Sequence, residues 1–379
     1  MQKEKYLCEV TSVEQFSLAS TGRRCRVRGQ SQPEVTGETS SQYFGSEPRL
    51  LVAGPELIMG PVEHLHMSIF SQSFSPCGKF LAAGNNYGEI AIFSLSAALS
   101  PEATESNLKP FLTFSAHDGP VYCLLSTESQ LLSSGNGEIR AWTWSELIKK
   151  TVKPVWTKRP DYKSSLEIPE INAMVIYPRD DTLVVGGGDN NIHVLDMQRG
   201  SFKSVLQGHA DYVHCLNVRP QEAQLLSGSE DGSVRIWDMR TNQSVHVVEA
   251  HKYESCARPQ FGKWISCLTS DCDWMVCGGG PSLSVWHLRS MSPTSVFDLP
   301  GCQRRAAFHQ DMILAVGDGA YVSHCLLGSE VKAQIPVTPQ SLNTLELNST
   351  ELQVLTVAGS SSHIDVFTNP SYRAFSLSF

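Results

Sequence analysis

Three groups of residues in the sequence are of types that could do chemistry. Cys267, Cys272 and Cys277 are thiols spaced five apart, and a zinc ion takes three or four thiolate or imidazole ligands converging on one point. The alternation through CLTSDCDWMVC predicts Cys267 and Cys277 inside two strands and Cys272 in the turn between them, which does not converge. His64 and His66 share a face in extended chain, but no further ligand type on that face completes a site. The glycine triplets at 186–188 and 278–280 invite a phosphate-cradling loop, yet each ends a strand-like run, no helix start follows, and neither fits a Walker or dinucleotide fingerprint. No G-x-S-x-G elbow is present. No catalytic residue, metal or cofactor is expected.

The elements holding these residues repeat. The clearest unit is residues 208–238, GHADYVHCLNVRPQEAQLLSGSEDGSVRIWD. YVHCLNV predicts one strand, QLLSGS a second, and the Glu230-Asp231-Gly232 turn leads into SVRIWD, where Val234 and Ile236 alternate with Ser233 and Arg235. A fourth strand is predicted in SVHVVEAH. The same order recurs in LAAGNNYGEIAIF, LLSSGNGEIRAW, LVVGGGDNNIHVLD, WMVCGGGPSLSVW, ILAVGDGAYVSHC and VLTVAGSSSHIDVF, making seven copies. Their strand-ending residues are Phe93, Trp142, Leu195, Trp237, Trp286, Cys325 and Phe367, at intervals of 49, 53, 42, 49, 39 and 42 residues. A period of about 45 suits a four-stranded propeller blade, whereas a β-sandwich has turn signals every ~8–12 residues and no longer period. The expected fold is all-β, a seven-bladed propeller over residues 61–379. AFSLSF at 374–379, with Phe375, Leu377 and Phe379 alternating, is expected to be the outer strand of the last blade.

Composition agrees. The 379 residues are 18% charged, below the usual share of about 25%, as short strands and turns require more than solvated helices do. The net charge of −8 disfavours a phosphate backbone as a nonspecific partner. No apolar run approaches the ~18 residues of a membrane span, and MQKEKYLCEV has no signal-peptide character, so a soluble, intracellular protein with no membrane partner is expected. Eleven cysteines without a CxxC pair suit reduced, buried thiols. Residues 1–60 are rich in Ser, Thr, Gln and Gly and are expected to be a disordered tail. Their Arg23, Arg24, Arg26, Arg28 cluster is an import-type or nucleic-acid patch, or simply solvated, since seven Lys and Arg there meet seven Glu.

One connection, residues 145–169, is long and cationic. Lys149, Lys150, Lys153, Lys158, Arg159 and Lys163, with Trp156 and Tyr162 interleaved, form a candidate partner-binding loop for an acidic helix or a nucleic-acid strand, or an ordinary solvated loop.

The GH start, SGSEDG turn and IWD ending resemble WD-repeat proteins. That resemblance implies a hydrogen-bonded structural tetrad of His209, Ser227, Asp231 and Trp237, the buried indole and imidazole needing partners. The second copy keeps His117, Ser133 and Trp142 but carries Asn136 where the Asp is due, and the sixth ends in Cys325; those blades are expected to rest more on apolar packing. Segments that depart from the general WD pattern, HLHMSIFSQSFSPCGKFLAAGNNYGEIAIFSL at 64–95, AHDGPVY at 116–122, DWMVCGGGP at 273–281 and SYRAFSLSF at 371–379, resemble the WD-repeat subunits of the THO complex. The resemblance implies a nuclear, non-enzymatic scaffold, concentrated in speckles, that joins messenger RNA export through the other THO subunits, notably the coiled-coil ones. It would meet the messenger ribonucleoprotein through the complex and take no small-molecule substrate. Two other WD-propeller roles are a ubiquitin-ligase substrate receptor and a histone-tail reader. The first usually shows Asp-Arg endings on neighbouring blades, and here only Trp237-Asp238-Met239-Arg240 has that form.

Overall fold

Short runs of Val, Ile and Leu alternating with polar residues, broken by Gly, Asn and Asp, pair most readily with the next run along the chain. The computed structural model describes residues 61–162, 168–219 and 224–379, and within them this local pairing is complete. Seven antiparallel sheets of four strands form, each from strands consecutive in sequence. They span residues 69–115, 123–158, 171–206, 213–248, 265–296, 303–336 and 342–378, and are called blades 1 to 7. The first strand of each blade packs against the first strands of its neighbours, and Ile69–Phe74 of blade 1 meets Leu342–Asn348 of blade 7 to close the ring. The protein is therefore the expected seven-bladed propeller. The expected disordered tail and its arginine cluster lie outside the described residues.

The apolar core lies between blades rather than within one. Ala82, Ile90 and Ile92 of blade 1 cluster with Leu124, Leu131 and Trp142 of blade 2, and Leu81 and Phe93 of blade 1 cluster with Val354, Ile364 and Leu377 of blade 7. Each such buried side chain contributes about 1.5–3 kcal/mol. Close approach of blades needs glycine at particular points. A Cβ on Gly228 would lie 2.6 Å from Cys215 Sγ and 2.7 Å from Ile265 Cγ2 of the next blade. Gly232, with φ +86°, makes the turn after Asp231 in a conformation that other residues adopt only with strain.

The strand Phe375–Ser378 pairs with His363–Phe367, Leu377 opposite Ile364, as its alternation predicts. Among the described residues blade 7 is thus completed by its own fourth strand, next in sequence to the other three. Side-chain hydrogen bonds fasten the closure: Asn343 Nδ2 donates to Ile69 O at 3.0 Å, and Asn348 Nδ2 to Gly78 O at 2.9 Å.

One expectation needs correction. Residues 145–169 are not simply a loop: the helix Trp144–Ile148 and the strand Pro154–Lys158 occupy the first half. That strand is the outer strand of blade 2, with Trp156 opposite Ala141 and Lys158 opposite Ile139. Proline is tolerated here because it begins an edge strand, where a missing N–H breaks no ladder on the free side.

Candidate partner-binding surface

The hydrogen-bond set of blade 4 forms at the ends of its strands. His209 precedes the first strand, Ser227 lies in Gln224–Ser229, Asp231 in the following turn and Trp237 in Val234–Asp238. Trp237 Nε1 donates to Ser227 Oγ at 2.8 Å, Ser227 Oγ lies 2.7 Å from His209 Nε2, and His209 Nδ1 lies 2.9 Å from Asp231 Oδ2. Every group is satisfied when a neutral imidazole donates from Nδ1 to the carboxylate and accepts the serine proton at Nε2. Burial lowers the His209 pKa. Burial alone would raise that of Asp231, but hydrogen bonds from His209, Ser233 and the Ala210 N–H outweigh it and hold the carboxyl well below its usual range. Three of these residue types are those of a hydrolase triad. Ser227 and Trp237 are wholly buried, however, and no substrate reaches the hydroxyl.

Blade 2 builds a similar set by another route. Trp142 Nε1 donates to Ser133 Oγ at 3.0 Å, and His117 Nε2 lies 2.9 Å from the same oxygen. Asn136 does not stand in for the acid; it bridges to Glu170 in a backbone pair. A carboxylate, Glu138, stands after the Gly137 turn 3.7 Å from His117 Nδ1, beyond hydrogen-bond distance, so among the described residues that nitrogen has no hydrogen-bond partner. Glu138 is itself held by Arg140 at 2.5 Å and Arg159 at 2.9 Å. Burial and the Arg140 charge push the His117 pKa down to about 4. In blade 3, His193 Nε2 sits 2.7 Å from Asp189 Oδ2, a pairing that sequence reasoning missed, although DNNIH shows an acid at the turn and a histidine four residues on. In blade 5, Trp286 donates to Ser284 Oγ at 2.8 Å, and in blade 6 Cys325 is wholly buried among apolar side chains.

The cationic segment divides. Along Pro154–Lys158 the side chains alternate, so Trp156 and Lys158 turn inward while Val155 and Thr157 face out. Trp156 packs against the core shared by blades 2 and 3, and the Tyr162 ring meets His193 edge-on at 5.9 Å. Neither aromatic is an open stacking platform, which removes the geometry that gripping a nucleic-acid strand would use. Arg159 Nε and Nη2 both donate to Glu138 Oε2, at 3.2 and 2.9 Å. Lys149 caps the C-terminus of Trp144–Ile148, where a cation suits the helix dipole, and Lys150 follows with φ +61°. Lys149, Lys150 and Lys153 are exposed. Beside them Ile148 is 41% and Val155 51% exposed. Lys163 lies outside the described residues. Among the described residues Lys149, Lys150 and Lys153 form no ion pair, and with exposed Ile148 and Val155 they follow one another along residues 148–155 at the outer edge of blade 2, whereas Trp156, Lys158, Arg159 and Tyr162 are turned inward or paired.

The other chemical candidates dissolve into the fold. Cys267 and Cys277 lie in adjacent strands and Cys272 in the turn between them. Burial pushes the Cys267 thiol well up and the Cys277 thiol to about 12. Gly186 and Gly187 end one strand and Gly278 and Gly279 another. Among the described residues no helix is long and apolar enough to cross a membrane.

A propeller whose polar clusters are sealed inside its blades and whose reactive-looking residues are structural defines a WD-repeat protein; residues 108–143 match the family described as WD domain, G-beta repeat, and residues 157–299 the Nucleolar protein 10-like, N-terminal domain. Full-length similarity is more specific. The chain is 71% identical over 323 residues to the THO complex subunit 6 homolog of Danio rerio, covering 85% of this chain and all of that protein. It is 52% identical over 336 residues to THO complex subunit 6 of Homo sapiens, covering 88% of this chain and 98% of that protein. The Drosophila melanogaster THO complex subunit 6 is 29% identical over 308 residues, covering 80% and 87%. The chain belongs to the THO complex subunit 6 family.

Proposed function

We propose that this protein is a non-enzymatic scaffold subunit of a nuclear THO complex, concentrated in nuclear speckles, where it couples transcription and splicing to messenger RNA export through protein contacts. Family membership supports the place in the complex, and the observation that carries the mode of contact is the blade 2 rim. Along residues 148–155, exposed Ile148 and Val155 stand in the chain on either side of exposed Lys149, Lys150 and Lys153, offering apolar side chains flanked by cations. Its chemical complement is a helix with apolar residues on one face and carboxylates flanking them, as coiled-coil subunits present. The messenger ribonucleoprotein is met through the complex, because the net charge of −8 and the inward-packed Trp156 and Tyr162 leave this chain poorly equipped to hold RNA itself.

Replacing Lys149, Lys150 and Lys153 together by Glu tests this reading. Co-purification of the other THO subunits from nuclear extract should fall at least tenfold, while the melting temperature stays within about 2 °C, since exposed charges contribute little to stability. Unchanged co-purification would overturn the assignment of the rim. Salt-dependent RNA binding by the purified wild-type protein, tighter than a typical nonspecific Kd of about 10⁻⁶ M and lost in the triple variant, would replace the scaffold reading with direct RNA contact.

A further inference from the structure

The pairing registers align the first strands of all seven blades residue by residue; of three successive layers around the propeller axis, the first two each contain one large polar residue and the third contains one charged residue. In the first layer Ser71, Cys123, Ala173, Cys215, Cys267 and Thr344 are small, and the blade 6 position is Arg305. In the next, Leu124, Met174, Leu216, Leu268, Ala306 and Leu345 are apolar, and the blade 1 position is Gln72. One layer further, the only charged residue is Glu346 of blade 7. The departures come from blades 6, 7 and 1, three neighbours around the ring.

They also share a cavity. Arg305, Gln72, Thr344, Glu346 and Ser71 line a space of about 110 Å³ together with Leu124, Met174 and Leu216. This is several times the roughly 15 Å³ one water needs. Gln72 is 1% exposed, yet neither its Nε2 nor its Oε1 has a hydrogen-bond partner. A buried unsatisfied amide costs about 1–3 kcal/mol per group, so polar atoms placed in this cavity would be stabilised by Gln72. Among the described residues the Arg305 guanidinium makes no hydrogen bond or ion pair, though its field reaches the thiols of Cys123, Cys215 and Cys267 on three other blades. A guanidinium fork, an amide NH₂ and a hydroxyl are a donor set, and donors around one positive charge fit an anion bearing several oxygens.

We propose that the axial cavity binds one small free oxyanion, of carboxylate, sulfate or phosphate size, held by Arg305, Gln72 and Thr344. Burial pushes the Glu346 carboxyl up to about 7, Arg305 offsetting only part of the rise. Below that pH Glu346 is neutral and offers a further O–H donor, while above it the carboxylate opposes the anion. Binding therefore strengthens as pH falls from 8 to 6 and takes up protons. The other charged groups on these strands are engaged elsewhere: Arg304 pairs with Asp318, His214 with Glu230 and Arg219 with Asp273. Tyr177, Asp271 and His309 are the last residues of their strands, away from the lining.

Isothermal titration of the purified full chain with sodium phosphate, sulfate and acetate at fixed ionic strength, with chloride as reference, tests this. One site per chain is expected for at least one oxyanion, at least tenfold tighter at pH 6 than at pH 8. Arg305→Met should abolish the heat. Glu346→Gln should retain binding and remove most of its pH dependence. If Arg305→Met fails to fold, Gln72→Leu, which copies the residue type of the other blades, should fold and weaken binding at least fivefold. Absence of saturable binding by the wild-type protein, or equal binding by both Arg305→Met and Gln72→Leu, overturns the proposal.

Discussion

Ser227 carries more than its size suggests, because one buried hydroxyl accepts from Trp237 and satisfies His209. Ser227→Ala leaves both unpartnered and should cost about 1–3 kcal/mol. Trp237→Ala, which removes the indole and leaves a cavity, should cost about 3–5 kcal/mol. Urea denaturation of the two variants measures both, and an unchanged midpoint for Trp237→Ala would contradict its place in the core. His117 adds a pH dependence with a definite sign. Its folded pKa of about 4 lies below the ordinary 6.5, so the unfolded chain binds the proton more readily. The stabilisation is full above pH 6.5 and is lost as pH falls from 6.5 through 4, by up to about 3 kcal/mol. Stability measured from pH 7 to 4 should fall steeply, and His117→Asn should flatten that slope. The tetrad residues of blade 4 were legible because the turn and strand that present them are local. The blade 2 acid was not: Glu138 sits two residues past the expected position, and Arg159, which holds it, comes from 21 residues along the chain.

At the scale of single elements, the last strand is the most exposed to test. Asp365, wholly buried, accepts from the Thr338 N–H at 2.6 Å and from Ser376 Oγ at 2.6 Å, so it pins Phe375–Ser378 from within the blade. Removing residues 371–379 should strip that pin, bare the edge of His363–Phe367 and cause aggregation; a truncated chain that stays monomeric and melts like the parent would refute this. The strand itself was readable from the alternation of Phe375, Leu377 and Phe379. The strand Pro154–Lys158 was not, because its inward positions are Pro154, Trp156 and Lys158, a sequence whose cations and proline suggest solvent. Burial of Trp156 and the stem of Lys158 against blade 3 decides the conformation, and that neighbour is visible only in three dimensions.

For the whole molecule, seven internally complete blades mean that ring closure rests on side chains rather than on a shared sheet. Asn343, bonded to Ile69 O and accepting from Arg304 Nη1 at 2.7 Å, joins blades 6, 7 and 1. Asn343→Ala should lower stability by about 1–3 kcal/mol. In hydrogen exchange its strongest effect should be faster exchange in Ile69–Phe74 and Leu342–Asn348, and uniform acceleration around the ring would argue against a distinct seam. The propeller was legible in the sequence because its repeats are short and each pairs with itself. The axial cluster of Arg305, Gln72 and Glu346 was not, since three residues on three blades converge only once the ring exists.

That self-sufficient last blade also has a consequence for how the protein is made. A propeller whose final sheet borrows its outer strand from the start of the chain must keep that strand waiting until translation ends. Here each sheet is finished as soon as its own fourth strand leaves the ribosome, so the growing chain pairs in order, with short loops to close. What waits instead is an apolar wall. Leu81, Ala83, Ala91 and Phe93 of blade 1 meet Val354, Ile364 and Leu377 only once blade 7, the last blade in chain order, has been made. Throughout elongation that wall faces water, and nascent chains halted before blade 7 should be the species that chaperones hold.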